Sequence, residues 1–276
     1  MKPWSEPDDL LARLDSIGAV LRDSGHALAL LALGSVGLER QRLDRHSDLD
    51  FFVIVEPGHK ARYIDDLDWL AQAHPVAWHF RNTADGHKAL MADGIFCEFA
   101  VFEPQELEHI PFAPGRLVWR RAGVADSIAV PRRPLPDTRL PDEEWIVGEA
   151  LSGLFIGLQR WHRGEKLAAA RMVQGHAVDR LIELDALRAL ADGTPPAADP
   201  FARERRLEQR QPGLMAELPA VMPGYLQTPA AALSILDALH RRGALLDPSI
   251  TDRIRMLCAY TPATRIATGD DRGDHG

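Results

Sequence analysis

The stretch that decides the fold is Leu33-Gly34-Ser35, followed after twelve residues by Asp48-Leu49-Asp50-Phe51-Phe52-Val53-Ile54-Val55. The glycine and the serine end a short apolar run that begins at Ala27, and the second segment also has the length of a strand. Successive side chains of a strand point to opposite faces, so the two aspartates share one face while the apolar residues that alternate with them point into the core. The segment therefore predicts two strands with a carboxylate pair at the start of the second.

The carboxylates of Asp48 and Asp50 favour a bound cation. Unit charges about 4 Å apart repel each other by roughly 4 kcal/mol at an effective dielectric constant near 20. Mg²⁺ fits this need, because it binds carboxylates and keeps phosphate groups as further ligands. Gly34 and Ser35 complement the pair, since a glycine lets the backbone approach a phosphate and the turn offers N–H groups and a hydroxyl as donors.

A third acidic residue, Glu98, lies inside another predicted strand. It is the one charged residue in Ile95-Phe96-Cys97-Glu98-Phe99-Ala100-Val101-Phe102. An ionised carboxylate buried without partners costs several kcal/mol, so Glu98 requires a metal ion, a donor or exposure at a cleft. Cys97 points to the opposite face of this strand, into the core, and is not expected to be a nucleophile.

The Gly-Ser turn, the spacer, Asp48-x-Asp50 and the later strand with Glu98 together resemble the signature of the DNA polymerase β-like nucleotidyltransferase superfamily. Within it, the chain is most similar to the antibiotic nucleotidyltransferases, in particular the lincosamide nucleotidyltransferases of the B and F types. The resemblance covers roughly Ala27 to Leu190 and includes the weaker motif Arg163-Gly164-Glu165 between two predicted helices.

This resemblance implies Mg²⁺-dependent transfer of a nucleoside monophosphate, AMP from ATP, to a hydroxyl of a small molecule such as a lincosamide or an aminoglycoside. Pyrophosphate would leave. By position, Asp48 and Asp50 would bind the metal, Gly34 and Ser35 the triphosphate, and Glu98 would act as the base. The loop of residues 36–47 is more basic than expected, and Arg45 is its best candidate for a further triphosphate ligand, although a solvated basic loop is the plainer interpretation. Homodimerisation is implied by the same analogy.

Helix and strand patterns alternate in the first half of the chain, which predicts an α/β (α+β) fold with a mixed nucleotidyltransferase sheet and flanking helices. The second half is predicted to be a helical bundle. The domain boundaries expected are 1–125 for the nucleotidyltransferase domain, 126–141 for a proline-rich linker, 142–262 for the helical domain and 263–276 for a disordered tail. The predicted elements of the first half are a helix at 8–22, strands at 27–33, 49–55, 76–80 and 95–102, a helix at 61–73, and an edge strand at 117–121.

In the second half, a helix over 142–163 is predicted to end at Gly164, and a long helix over 165–190 follows. Thr228 and Asp247 each precede a proline, so both are predicted to cap the helices that begin there.

Composition excludes several other classes of function. The formal net charge is −8, from 32 basic and 40 acidic side chains, so no basic footprint for nucleic acid exists. No apolar run approaches the roughly 20 residues of a membrane span. Two cysteines and no leader pattern predict a cytoplasmic protein. The eleven histidines form no His-x₃-His pattern, so no zinc site is predicted.

Two alternative functions stay open. One is a nucleotidyltransferase that modifies a protein, as in toxin–antitoxin pairs, although such enzymes are usually short single domains. The other is a nucleotide-binding module that has lost its chemistry, which the three intact carboxylates disfavour.

Overall fold

The computed structural model describes residues 5–135, 139–193 and 202–260. The chain divides into two units, Met1–Asp137 and Thr138–Gly276. The boundary falls inside the segment whose composition predicts a linker, although residues 136–138 of that segment lie outside the described ranges, as does the predicted tail at 263–276. The domain assignment itself stays a prediction.

The first unit is built on one mixed sheet of six strands in the order β3-β4-β5-β2-β1-β6. The pair β2 and β5 is parallel and the other neighbouring pairs are antiparallel. The α/β (α+β) prediction is therefore confirmed. The strands are β1 Ala27–Ala32, β2 Leu49–Val55, β3 Val76–Arg81, β4 Gly86–Met91, β5 Phe96–Phe102 and β6 Arg116–Arg120.

The two faces of the sheet bury different sets of apolar side chains. In β2, Leu49, Phe51 and Val53 belong to the larger cluster, which the helix α1 (Pro7–Asp23) covers with its apolar stripe. Phe52 and Ile54 belong to a smaller cluster on the other face. The alternation places the side chain of Asp50 on this second face, at the end of the sheet where β2 begins.

The prediction of one helix over 61–73 is wrong in one respect, because this segment forms two helices, α2 Lys60–Asp65 and α3 Asp68–Ala73. The break lies at Asp66, whose backbone is extended (φ −131°, ψ 119°). Its carboxylate accepts a hydrogen bond of 2.9 Å from the N–H of Asp68. A short polar side chain that binds the backbone two residues on competes with the helical hydrogen bonds, which explains the interruption.

The second unit consists of helices in its described part. The two longest stretches are α4 Glu143–His162 and a segment that runs through α5 Lys166–Arg171, a π-helical turn Met172–His176 and α6 Ala177–Ala191. Gly164, with φ +86°, separates them as predicted. The sequence predicts one regular α-helix over 165–190, whereas the structure contains a π-helical turn within this range. The remaining helices are α7 Leu207–Arg210, α8 Pro212–Val221, α9 Thr228–Arg241 and α10 Pro248–Ala259.

The two predicted caps have different outcomes. Asp247 caps α10, since its carboxylate accepts a 2.7 Å hydrogen bond from the N–H of Ser249. The prediction for Thr228 is wrong, because this residue is already the first of α9. Its buried hydroxyl instead donates to the carbonyl of Tyr225 and accepts from Gln174 of the π turn. Within the described ranges, the helices are all too short or too polar to cross a membrane.

Candidate functional site

The turn after β1 and the start of β2 meet at one end of the sheet. The N–H of Leu33 donates to the carbonyl of Asp50 over 2.8 Å, which extends the pairing of the two strands into the turn. Gly34 then begins a single 3₁₀ turn with φ +54°. A Cβ atom on Gly34 would lie 3.2 Å from Oδ2 of Asp50, so the glycine backbone lies directly against this carboxylate.

Several contacts fix the conformation of this turn. The N–H of Gly37 donates to the carbonyl of Gly34 over 3.1 Å. A side chain at Gly37 would collide with the backbone, since its Cβ would lie 2.7 Å from the carbonyl oxygen of Ala32. The hydroxyl-bearing residue Ser35 is partly exposed, as is Gly34. The turn therefore holds a rigid shape while its first two residues stay accessible to a ligand.

Burial alternates along residues 48–51, at the start of β2. Leu49 and Phe51 are 0% and 1% exposed, whereas both aspartates are partly exposed. Asp48 precedes the first residue of β2, and Asp50 is the second residue of that strand. The side chain of Asp50 thus lies on the face opposite the main core, next to the Gly34 turn, and Asp48 precedes it by two residues.

Glu98 is the direct neighbour of Asp50 in the parallel pairing of β2 with β5. Its side chain is 43% exposed, and its carboxylate has two partners. The Nζ of Lys88 lies 3.0 Å from Oε2, and Nδ2 of Asn82 lies 3.4 Å from Oε1. Glu98 therefore has both hydrogen-bond donors and access to solvent, as a carboxylate in this strand requires.

The sequence reasoning missed Lys88 and Asn82. Lys88 lies opposite Glu98 in the pairing of β4 with β5, and Asn82 follows β3. The sequence analysis assigned no strand to the stretch that contains β4, Gly86–Met91, which begins with glycine, histidine and lysine. Without that strand, nothing local brings Lys88 next to Glu98.

The three carboxylates do not form one compact ligand cluster. In the described part of the chain, one group of three His, Cys or acidic residues has ligand atoms that all lie within 4.8 Å of one another. This group consists of His26, Glu56 and His59. Asp48 and Asp50 lie two positions apart where β2 begins, and Glu98 lies beside Asp50 on the next strand. Mg²⁺ is commonly held by one or two carboxylates, with waters and substrate phosphates as its other ligands, so the aspartate pair fits this ion.

One basic side chain contacts the turn, and a second lies in the loop before β2. Arg45 is exposed and lies three residues before Asp48. Arg116 of β6, which the sequence analysis did not select, donates through Nε and Nη2 to the carbonyl of Val36 over 3.2 and 3.0 Å. Burial lowers the pKa of Arg116, and the nearby charge of Arg40 lowers it further. Arg116 thus connects the edge strand to the Gly34 turn and places a positive charge behind it.

Cys97 lies on the opposite face of β5 from Glu98 and is 0% exposed. Burial raises the pKa of its thiol to about 12, which leaves the thiolate unpopulated at neutral pH. The expectation that Cys97 is buried in the core is confirmed. That it is not a nucleophile stays a prediction.

No protein-family model matches the chain, and no curated protein matches it in sequence. Among solved structures, the chain is matched to an aminoglycoside 6-adenyltransferase from Bacillus subtilis, at 12% identity and a TM-score of 0.33 over 91% of this chain and 99% of that one. Another is the Bradyrhizobium diazoefficiens CD-NTase CdnG in complex with GTP, at 14% identity and a TM-score of 0.23 over 92% and 98% of the two chains. Similarity this low does not indicate a function, so a function can be inferred only from the residues of the site.

Proposed function

We propose that the chain is a Mg²⁺-dependent nucleotidyltransferase that transfers AMP from ATP to a hydroxyl group of a small molecule and releases pyrophosphate. The observation that carries this proposal is the position of Asp50. Its carboxylate lies against the backbone of Gly34, its carbonyl accepts from Leu33, and Glu98 is its neighbour on the adjacent strand. The hydrogen-bond donors proposed to bind phosphate and the residue proposed as the base would thus both lie next to Asp50, a proposed metal ligand.

The Gly34 turn is the proposed triphosphate site. Its partly exposed residues Gly34 and Ser35 offer backbone N–H groups and a hydroxyl to phosphate oxygens, without a Cβ atom at Gly34 to keep a ligand away. Arg45 adds a cation from the exposed loop before β2. Arg116 supports the turn from behind through its two hydrogen bonds to Val36.

Asp48 and Asp50 would hold Mg²⁺, which neutralises the charge of the triphosphate and of the leaving pyrophosphate when bound. Asp48 and Asp50 would provide carboxylate oxygens near the proposed phosphate site, and Mg²⁺ is commonly held by one or two carboxylates together with substrate phosphates. Charge neutralisation and alignment are the main requirements of phosphoryl-type transfer, so these residues would supply most of the rate enhancement.

Glu98 is the proposed general base. The acceptor hydroxyl oxygen forms a bond to the α-phosphorus, its proton passes to Glu98, and the bond to the pyrophosphate oxygen breaks. An ionised carboxylate has about four lone-pair positions, so the contacts with Lys88 and Asn82 leave room for the acceptor proton. General-base catalysis of this kind contributes roughly 10² to 10⁴ in rate.

The acceptor that we propose is an antibiotic hydroxyl, of a lincosamide or an aminoglycoside, and the active form that we propose is a homodimer. Both follow from the motif resemblance alone. Light scattering coupled to gel filtration would measure the mass of the particle in solution, and a monomer would remove the homodimer from the proposal.

The test is pyrophosphate release from ATP and Mg²⁺ across a panel of lincosamides and aminoglycosides. The expected result is turnover with at least one acceptor, reduced by about 10² or more in Asp48→Asn, Asp50→Asn and Glu98→Gln. The matched control is Asp23→Asn, an exposed acid at the end of α1, which should keep full activity. Retained turnover in Asp50→Asn would disprove the assignment. Bound ATP without turnover on any acceptor would point to a protein acceptor or to a non-catalytic module.

A further inference from the structure

Three side chains that can ligate a metal converge at the other end of β1 and β2. One ligand atom each of His26, Glu56 and His59 lies within 4.8 Å of the other two. The two imidazole rings are stacked, with centroids 3.6 Å apart and an angle of 9° between the planes. Nδ1 of His26 lies 2.8 Å from Oε2 of Glu56. The cluster therefore contains two imidazoles and one carboxylate at a single point.

Backbone hydrogen bonds hold these three residues in place. The N–H of Glu56 donates to the carbonyl of His26 over 2.9 Å, where β1 and β2 pair. The N–H of His59 donates to the carbonyl of Glu56 over 3.1 Å, which closes a tight turn through Pro57 and Gly58. Gly58 has φ +83°, as the third residue of a type II turn requires, and proline is favoured before it. The ligand positions are thus set by the backbone.

The carboxylate of Glu56 is also oriented from outside the cluster. Its Oε1 accepts from Nη1 of Arg121, and Nη2 of the same guanidinium donates to the carbonyl of Gly25. This contact leaves Oε2 beside the imidazole of His26. Residues that hydrogen-bond to a metal ligand and orient it are a regular feature of protein metal sites. The positive charge of Arg121, however, reduces the affinity of the cluster for a cation.

We propose that His26, Glu56 and His59 bind a divalent transition metal ion of the zinc type, with water as the fourth ligand. Two imidazole nitrogens and a carboxylate oxygen are a donor set that Zn²⁺ accepts, with bonds of about 2.0–2.2 Å. The side chains of His26 and Glu56 are 44% and 35% exposed, so an ion and a water molecule can reach them. Because the two imidazole rings are stacked, binding would require side-chain rotations that turn a nitrogen of each ring toward the ion, at the spacing of about 3.3 Å that a tetrahedral ion imposes.

This site is separate from the proposed Mg²⁺ site. Glu56 follows Asp50 by six residues along an extended strand, which corresponds to about 20 Å. The donor types differ as well, because Mg²⁺ prefers oxygen ligands and imidazole favours transition metals. The bound ion would connect the start of β1 to the turn after β2 and stabilise the first unit independently of nucleotide transfer.

The sequence predicts no zinc site, because its histidines lack the short, regular spacing that is typical of zinc ligands. His26 and Glu56 are separated by 30 positions, and strand pairing alone brings them together. Glu56 and His59 are close in sequence, but no local pattern indicates that His26 joins them.

The experiment is calorimetric titration of the full chain with ZnCl₂ at about pH 7.5, where unperturbed imidazoles are mostly neutral. One equivalent should bind to the wild type, and millimolar MgCl₂ should not displace it. His26→Gln and His59→Gln should each lower the zinc affinity by at least about tenfold. His109→Gln removes an exposed histidine elsewhere in the first unit and is the matched control, with unchanged affinity.

Two further measurements separate a built site from chance binding. Co²⁺ in the same site should give the visible absorption of a tetrahedral ion, lost in His59→Gln, while far-UV circular dichroism verifies that each variant is folded. Zinc should also raise the Tm of the wild type and of His109→Gln but not that of His59→Gln. Absence of zinc binding by the wild type, or zinc affinity equal to that of the wild type in both histidine variants, would overturn the proposal.

Discussion

The substitution Gly34→Ala tests the role of the turn beside Asp50. Gly34 has φ +54°, a left-handed conformation that costs an alanine about 1 kcal/mol. The new Cβ would lie 3.2 Å from Oδ2 of Asp50, so the carboxylate must move by a few tenths of an ångström or more. A displacement near 1 Å at a reacting centre costs about 10² in rate. We expect a loss of about 1 kcal/mol in unfolding free energy and of roughly 10- to 100-fold in kcat/KM.

Gly123→Ala is the matched control for this prediction. Gly123 also has a positive φ, +88°, but a Cβ there meets nothing within 4 Å. This variant should lose at least as much stability and keep its kcat/KM. Urea unfolding followed by circular dichroism gives the first quantity, and pyrophosphate release gives the second. Equal activity losses in the two variants, or full activity in Gly34→Ala, would refute the reasoning.

Four other predictions concern residues of both units. Arg116→Lys loses one of two hydrogen bonds to the turn, worth about 1 kcal/mol, so KM for ATP should rise about fivefold in steady-state assays with little change in kcat. Glu217 is partly buried, which by itself raises its pKa, but hydrogen bonds from two arginines outweigh burial and place the pKa below 4.5. Its stabilisation is therefore complete above pH 4.5 and is lost as the pH falls through the folded-state pKa, so Glu217→Gln should flatten the acid limb of a Tm-versus-pH curve. Asp247→Ala removes the cap of α10 and should lower the unfolding free energy by about 1 kcal/mol in a urea titration. Cys97, with its thiol pKa raised to about 12, should resist alkylation in the folded protein until denaturant is added, as mass spectrometry would measure.

The sequence predicts best where a side-chain pattern and a local backbone signal agree. Two-residue alternation alone places Leu49 in the core and Asp50 on the opposite face. Asp247 before a proline gives the cap of α10 for the same reason, since cap and proline both act within one turn of helix. These features depend on neighbours in sequence, so no tertiary information is needed.

The failures arise where a distant or competing partner decides the structure. Thr228 has the right type for a cap, but its hydroxyl bonds to Gln174, which lies 54 positions away. Lys88 reaches Glu98 only because β4 pairs with β5. The helix over 61–73 breaks because the Asp66 side chain competes locally for a backbone N–H, a contact that helical periodicity does not reveal.

The Mg²⁺ dependence of ATP binding tests the central claim most directly, because it requires no knowledge of the acceptor. In calorimetric titrations, Mg²⁺ should tighten the binding of ATP to the wild type by about tenfold or more, and this gain should disappear in Asp48→Asn and Asp50→Asn but not in Asp23→Asn. ATP affinity that does not respond to Mg²⁺, or a response that survives in both site variants, would contradict the assignment of the aspartate pair.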